Sequence, residues 1–182
     1  MMPEYYEFQH STKLLSGKQA LENIPAELHA LEASRPMVLS DAVLKKIGTT
    51  DLVCDAVQQD GITIGAVFCE IPADSSSEVV NQIARCYREN GCDSLVAVGG
   101  GSVLDTAKGV RMLLSQKAED IMELLGCEIM TRGRHIPFAA VPTTSGTGSE
   151  STLVAVIRNA ENGMKMEFIS YYLQPDVTVL DS

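Results

Sequence analysis

The chain has 182 residues, room for one domain or slightly more. Hydrophobic residues make up 45% and charged residues 21%, which argues against bulk disorder. With 24 acidic against 14 basic residues the formal net charge is −10, poor material for the basic stripe that a duplex-binding protein presents. Five cysteines (54, 69, 86, 92 and 127) form no CxxC pair, and His10, His29 and His135 lie far apart, so no zinc site is predicted. Unpaired thiols fit a reducing, cytoplasmic setting. Met1 to Glu7 lacks a basic segment before an apolar one, and no 18 apolar residues run together, so neither export nor a membrane span is expected.

In chain order, Tyr5 to Lys13 reads as an edge strand. Pro25 starts a second short helix within the 18–34 region, because it would break a single long one. Met37-Val38-Leu39 is a strand followed by a helical pattern, and Ile62 to Cys69 is another strand. Ser75-x-x-Glu78 fits a capping box ahead of an apolar helical face made by Val79, Val80, Ile83, Ala84 and Tyr87, with Gly91 at the C-terminal cap. Ser94 to Val98 is a strand, and Val103, Ala107, Val110 and Leu114 then follow helical spacing. Pro137 to Val141 and Asp176 to Leu180 complete the strands. Leu153 to Ile157 and Met164 to Ile169 flank Asn162-Gly163, which predicts an antiparallel hairpin attached to the sheet. The fold class expected is therefore α/β: a Rossmann-like, mainly parallel sheet with helices on both faces, plus that hairpin. Residues 1–182 form one dinucleotide-binding domain in this reading. No helix follows the last strand to cover its face, so the chain is expected to be the first half of a longer polypeptide.

Three segments carry chemistry. Gly99-Gly100-Gly101-Ser102 joins a strand directly to a helix. Such a turn exposes first-turn N–H groups at the positive end of the helix dipole and suits a phosphate, although a tight turn without a ligand has the same residues. Leu104 stands where a GxGxxG fingerprint needs its third glycine, and no GxxxxGK[ST] motif is present. Pro142-Thr143-Thr144-Ser145-Gly146-Thr147-Gly148-Ser149-Glu150 follows another strand with five hydroxyls and two glycines; it is either a ligand loop at a strand's carboxyl end or a hydrophilic turn. Asp41, after the Met37–Leu39 strand, is placed either to accept from ribose hydroxyls or to cap the next helix. Together the three supply sugar, diphosphate and hydroxyl contacts for one dinucleotide.

GGGSVLDTAKG (99–109) followed by PTTSGTGSE (142–150) resembles the iron-containing (group III) alcohol dehydrogenase family, within the dehydroquinate synthase-like fold group, and the likeness runs over nearly the whole chain. The resemblance implies hydride transfer between NAD(P) and a small alcohol, aldehyde or ketone. It assigns Asp41 to the adenosine ribose, Gly99, Gly100, Gly101 and Ser102 to the diphosphate, and Asp105 to the helix that follows. It places Thr143, Thr144 and Thr147 along the cofactor, with Thr152 in the adjoining strand. Lys165 matches a lysine that reaches the nicotinamide ribose; read from its residue type alone, it is equally a solvated strand lysine. Where family members often carry Asn-Pro near the adenosine, this chain departs from the pattern with Pro72-Ala73-Asp74.

NAD is expected over NADP, because Asp41 repels a 2′-phosphate. The family binds Fe²⁺ or another divalent metal through an Asp and three His of a helical second domain. That domain would begin after Ser182, so no metal site and no catalytic residue is assigned here. A homodimer or higher homo-oligomer is also implied, with the Tyr5 to Lys13 segment pairing with a neighbouring subunit. A dehydroquinate synthase-type lyase and a free-standing nucleotide-binding module are the competing readings.

Overall fold

Six short strands pair in parallel: β1 (Lys13–Gly17), β2 (Pro36–Leu39), β3 (Ala66–Phe68), β4 (Ser94–Gly99), β5 (Phe138–Pro142) and, after a separate antiparallel pair β6 (Val154–Arg158) and β7 (Lys165–Ile169), β8 (Val177–Asp181). The computed structural model describes residues 10–125 and 133–182. The sheet order is β1-β8-β5-β4-β2-β3. The helices are α1 (Ile24–Ala30), α2 (Ala42–Lys46), α3 (Thr49–Val57), α4 (Ser77–Glu89) and α5 (Gly101–Gln116). The Rossmann-like α/β class is as expected from the alternation of strands and helices.

Both sheet faces are covered, which is why the central strands are nearly continuous in apolar residues. On one face Met37, Leu39, Leu95, Ala97, Phe138 and Ala140 pack beneath α4, α5 and the hairpin. On the other, Val38, Val96, Val98, Ala139, Val141, Val177 and Val179 pack against α1 and α3. The period-two alternation thus splits one sheet into two hydrophobic layers. Pro25 sits in the first turn of α1, after a 3-10 turn at Ala20–Asn23. The α4 C-terminus closes as a Schellman motif: Gly91 takes φ +60, its N–H donates to Arg88 O, and Cys92 N–H donates to Tyr87 O.

Four expectations need correction. The strand expected over 62–69 is regular only at Ala66–Phe68. Its earlier part still runs beside β2, with Thr63 N–H donating to Ser34 O and Gly65 N–H to Pro36 O, but the backbone bends through a turn at Gln59–Ile62. No capping box forms at Ser75: α4 starts after Ser76, whose hydroxyl makes no cap bond. The hairpin tip takes this segment instead, with Arg158 N–H donating to Ser75 O and Ala160 N–H to Ser77 Oγ. A capping box does occur at Asp120–Glu123, at the start of a 3-10 turn over Ile121–Leu124. The hairpin is a sheet of its own and not an extension of the main one; its buried side chains Ala155, Ile157, Met166 and Phe168 join the layer containing α5. Finally, the first strand begins at Lys13, where Tyr5 to Lys13 was expected; residues 5–9 lie outside the described residues.

Candidate cofactor cleft

The chain runs from β2 to β3 on one side, then returns across β2 to place β4 and then β5 on the other. The strand order therefore reverses between β2 and β4, and open α/β sheets bind ligands beyond the carboxyl ends of their strands at such a point. An open cleft of ≈ 680 Å³ lies there, lined by Asp41, Gly100, Gly101, Ser102, Thr143 and Thr144 together with Ile71, Pro72 and Ala73. The three segments singled out by sequence converge on it.

The glycines are needed for close approach and not for unusual dihedrals: Gly100 has φ −82 and is the N-cap of α5. A Cβ at Gly100 would meet Thr144 Oγ1 at 2.9 Å, and one at Gly101 would meet Thr147 Cγ2 at 3.2 Å. A Cβ at Gly99 would sit 2.6 Å from Val103 Cβ, so the absence of a side chain there lets the strand feed straight into α5. Thr143 N–H donates to Gly99 O, which locks the two loops together where β4 and β5 end. What remains in the wall is bare backbone at the start of a 16-residue helix. The first-turn N–H groups of Gly101 and Ser102 lack helical carbonyl partners, and the helix dipole favours an anion there. This donor set and the close-packed glycine wall fit a dinucleotide diphosphate. The Ser102 hydroxyl oxygen accepts from Asp74 N–H at 3.2 Å, leaving its own proton to donate.

Of the two roles that the sequence leaves open for Asp41, the structure shows the helix cap, and it also sets the residue at the cleft. Its Oδ1 caps α2 by accepting from Val43 N–H and Leu44 N–H, each at 2.9 Å, and the residue also lines the cleft, so Oδ2 is left to accept from a ligand.

The threonine–serine loop divides in two. Thr143 to Thr147 are exposed, whereas the following residues are anchored from below. Asp105 performs part of that anchoring: its Oδ1 accepts from Ser149 Oγ at 2.6 Å and its Oδ2 from Val156 N–H at 3.1 Å. It thereby ties α5 to the loop and the hairpin and does not line the cleft. Thr152 is likewise an anchor, its carbonyl and hydroxyl oxygens accepting from Lys108 Nζ at 2.9 and 3.0 Å. Lys165 lies on the hairpin, exposed, and pairs with Asp74 at 3.1 Å.

Lys108 is assigned no role by the sequence pattern, and Asp74 enters it only within the Pro72-Ala73-Asp74 departure. Lys108 is fully buried; its ammonium also donates to Val154 O at 2.8 Å, and burial lowers its pKa to about 8 against the opposing pull of Asp105 and Glu150. From Val103 to Leu114 nearly every position of α5 is buried, so a lysine in that run has no water to reach. Among the described residues no group of three or more His, Cys, Asp or Glu could hold a metal ion, so the donors here do not fit one. His29 Nε2 instead meets Asp60 O, and His135 lies beside Asp176.

Comparison with known proteins bears on the family and the fold. A 4-hydroxybutyrate dehydrogenase from Cupriavidus necator is 37% identical over 164 residues, 89% of this chain and 42% of that protein. A sulfoacetaldehyde reductase from Bifidobacterium kashiwanohense, solved in complex with NAD+, superposes with a TM-score of 0.88 at 26% identity over 98% of this chain and 46% of that one. A 1,3-propanediol oxidoreductase gives a TM-score of 0.90 at 26% identity, again over 98% of this chain and 46% of that one. The chain thus spans less than half the length of these relatives. The sequence pattern described as "Iron-containing alcohol dehydrogenase" matches residues 11–182, and on that match the chain belongs to the iron-containing alcohol dehydrogenase family.

Proposed function

We propose that the cleft binds NAD and that the chain is the cofactor-binding part of a metal-dependent dehydrogenase acting on a small alcohol, aldehyde or ketone. The observation that carries this reading is the wall at Gly100 and Gly101, where two loops meet so closely that a single methyl group would fill the space. Asp41 faces the same cleft from the end of β2, placed to accept from ribose hydroxyls while the α5 N-terminus faces the diphosphate. Thr143 and Thr144 extend the hydroxyl-lined surface. When bound, NAD supplies the hydride acceptor and donor, and this chain's residues orient it. The NAD+ complex of the related sulfoacetaldehyde reductase supports the cofactor class. The donors among the described residues do not fit a metal ion. A cytoplasmic homo-oligomer is the setting we infer from the family.

NAD is preferred over NADP in this reading: a 2′-phosphate at Asp41 loses ribose hydrogen bonds and meets a like charge. Calorimetry on wild type should show tighter binding of NAD than of NADP. Asp41→Gly should narrow that difference by about tenfold, the weight of one charged hydrogen bond, while the loss of the α2 cap costs only a few tenths of a kcal/mol. Wild type binding NADP at least as tightly as NAD would remove Asp41 from the ribose site.

A further inference from the structure

Asp74 sits in the turn between β3 and α4, one residue beyond cleft-lining Pro72 and Ala73, with φ +64. A non-glycine residue in this left-handed region is held there by its surroundings. Its backbone N–H donates to Ser102 Oγ in the first turn of α5, and its carboxylate reaches the other way. Oδ1 lies 3.1 Å from Lys165 Nζ and Oδ2 lies 3.6 Å from Arg158 Nε. Arg158 and Lys165 face each other across the hairpin as a registered pair. One exposed carboxylate thus connects the diphosphate wall to two cations of the hairpin. The Arg158 backbone is tied to the same turn, since its N–H donates to Ser75 O. Lys165 has the more exposed side chain of the two cations, 66% against 37%.

This asymmetry decides which cation can move. An exposed ion pair contributes at most about 1 kcal/mol, so Lys165 can leave Asp74 for a stronger anion at small cost. Asp74 would then keep Arg158 and would not be left as a bare negative charge beside the incoming phosphates. We propose that Asp74 is a positioning residue for the cofactor: with Arg158 it parks Lys165 beside the β3–α4 turn that is bonded to Ser102, and it yields that lysine to the diphosphate–ribose portion of a bound dinucleotide. This deepens the proposed function and rests on the cleft being a dinucleotide site.

The test is calorimetric titration of NAD into the 182-residue chain as wild type, Asp74→Asn, Lys165→Met and the double variant. Asparagine accepts the left-handed conformation and keeps the N–H to Ser102, so Asp74→Asn changes the charge and little else. Matching thermal melts of wild type and variant check that point. Releasing Lys165 from its competitor should tighten NAD binding about two- to fivefold, the range of an exposed pair. Lys165→Met alone should weaken binding, and Asp74→Asn should bring no gain in the Lys165→Met background. The gain should also shrink in high salt, as an exposed ion pair does. If Asp74→Asn leaves affinity unchanged, weakens it, or tightens it equally without Lys165, the parking role is overturned while the cleft reading stands. If wild type shows no saturable NAD binding, the cleft reading fails and the role of Asp74 falls with it.

Discussion

Lys108 is buried in a helix whose neighbouring positions are almost all buried as well, and its three protons meet three oxygens: Thr152 O, Thr152 Oγ1 and Val154 O. The ammonium therefore joins α5 to the end of the threonine–serine loop and the start of β6, below the cleft. Burial lowers its pKa to about 8 from the 10.5 of a free lysine. Between those two values the unfolded chain holds a proton that the folded chain has released. Stability linked to this group therefore rises with pH across that window; it is complete above about 10.5 and lost as pH falls through about 8. Urea unfolding of wild type and Lys108→Met from pH 7.5 to 10 should show wild type gaining on the variant by on the order of 1–3 kcal/mol. Parallel pH profiles for the two proteins would show that Lys108 does not titrate in this range.

At the scale of elements, the start of β8 holds three parts of the fold together through Asp176. Its Oδ2 accepts from Phe138 N–H at the start of β5 and from Arg111 Nη2 of α5, both at 2.8 Å. Arg111 is nearly buried and also donates to Gln174 O, so removing the carboxylate's charge leaves a guanidinium poorly compensated. Asp176→Asn should cost about 3–5 kcal/mol in chemical denaturation, and adding Arg111→Met should recover part of it. An Asp176→Asn protein as stable as wild type would show that the pair contributes little. Elements were legible in the sequence where local pattern and tertiary demand coincide. The Ser94–Val98 run and the α5 periodicity both report a doubly covered sheet, and Asn162-Gly163 correctly marked the hairpin, with Gly163 at φ +74. Elements were misread where a distant partner claims a local signal. Ser75 looks like a cap, but its carbonyl serves the hairpin tip. The convergence of Asp41, the glycine loop and the threonine loop was legible because each follows a strand. The way Gly100 and Gly101 admit Thr144 and Thr147 was not, since such contacts join residues more than 40 positions apart.

Across the whole molecule, the two hydrophobic layers cover the central strands on both faces of the sheet, while Leu14 of β1 and Leu180 of β8 are exposed at one edge. The cleft is built by the segments that follow four neighbouring strands, β5, β4, β2 and β3, so its walls are formed by this fold. A dinucleotide should therefore bind to the 182-residue chain. Turnover makes a different demand. A divalent ion that polarises an alcohol oxygen needs several pre-oriented ligands. The described residues offer no group of three, and the chain spans 42% of the Cupriavidus necator relative and 46% of the Bifidobacterium kashiwanohense one. Positioning and charge stabilisation each account for several kcal/mol of a reaction barrier, and Fe²⁺ or Zn²⁺ meets no such ligand group among the described residues. We therefore expect calorimetry to detect NAD binding, while an NADH-forming assay with small primary alcohols and 1,2-diols stays at background with either metal present. Circular dichroism on the same samples establishes that the protein is folded. Turnover at ordinary enzyme rates, on the order of 1–10³ per second, would mean that residues 1–182 hold a complete catalytic centre and that the division of labour argued for this chain is wrong.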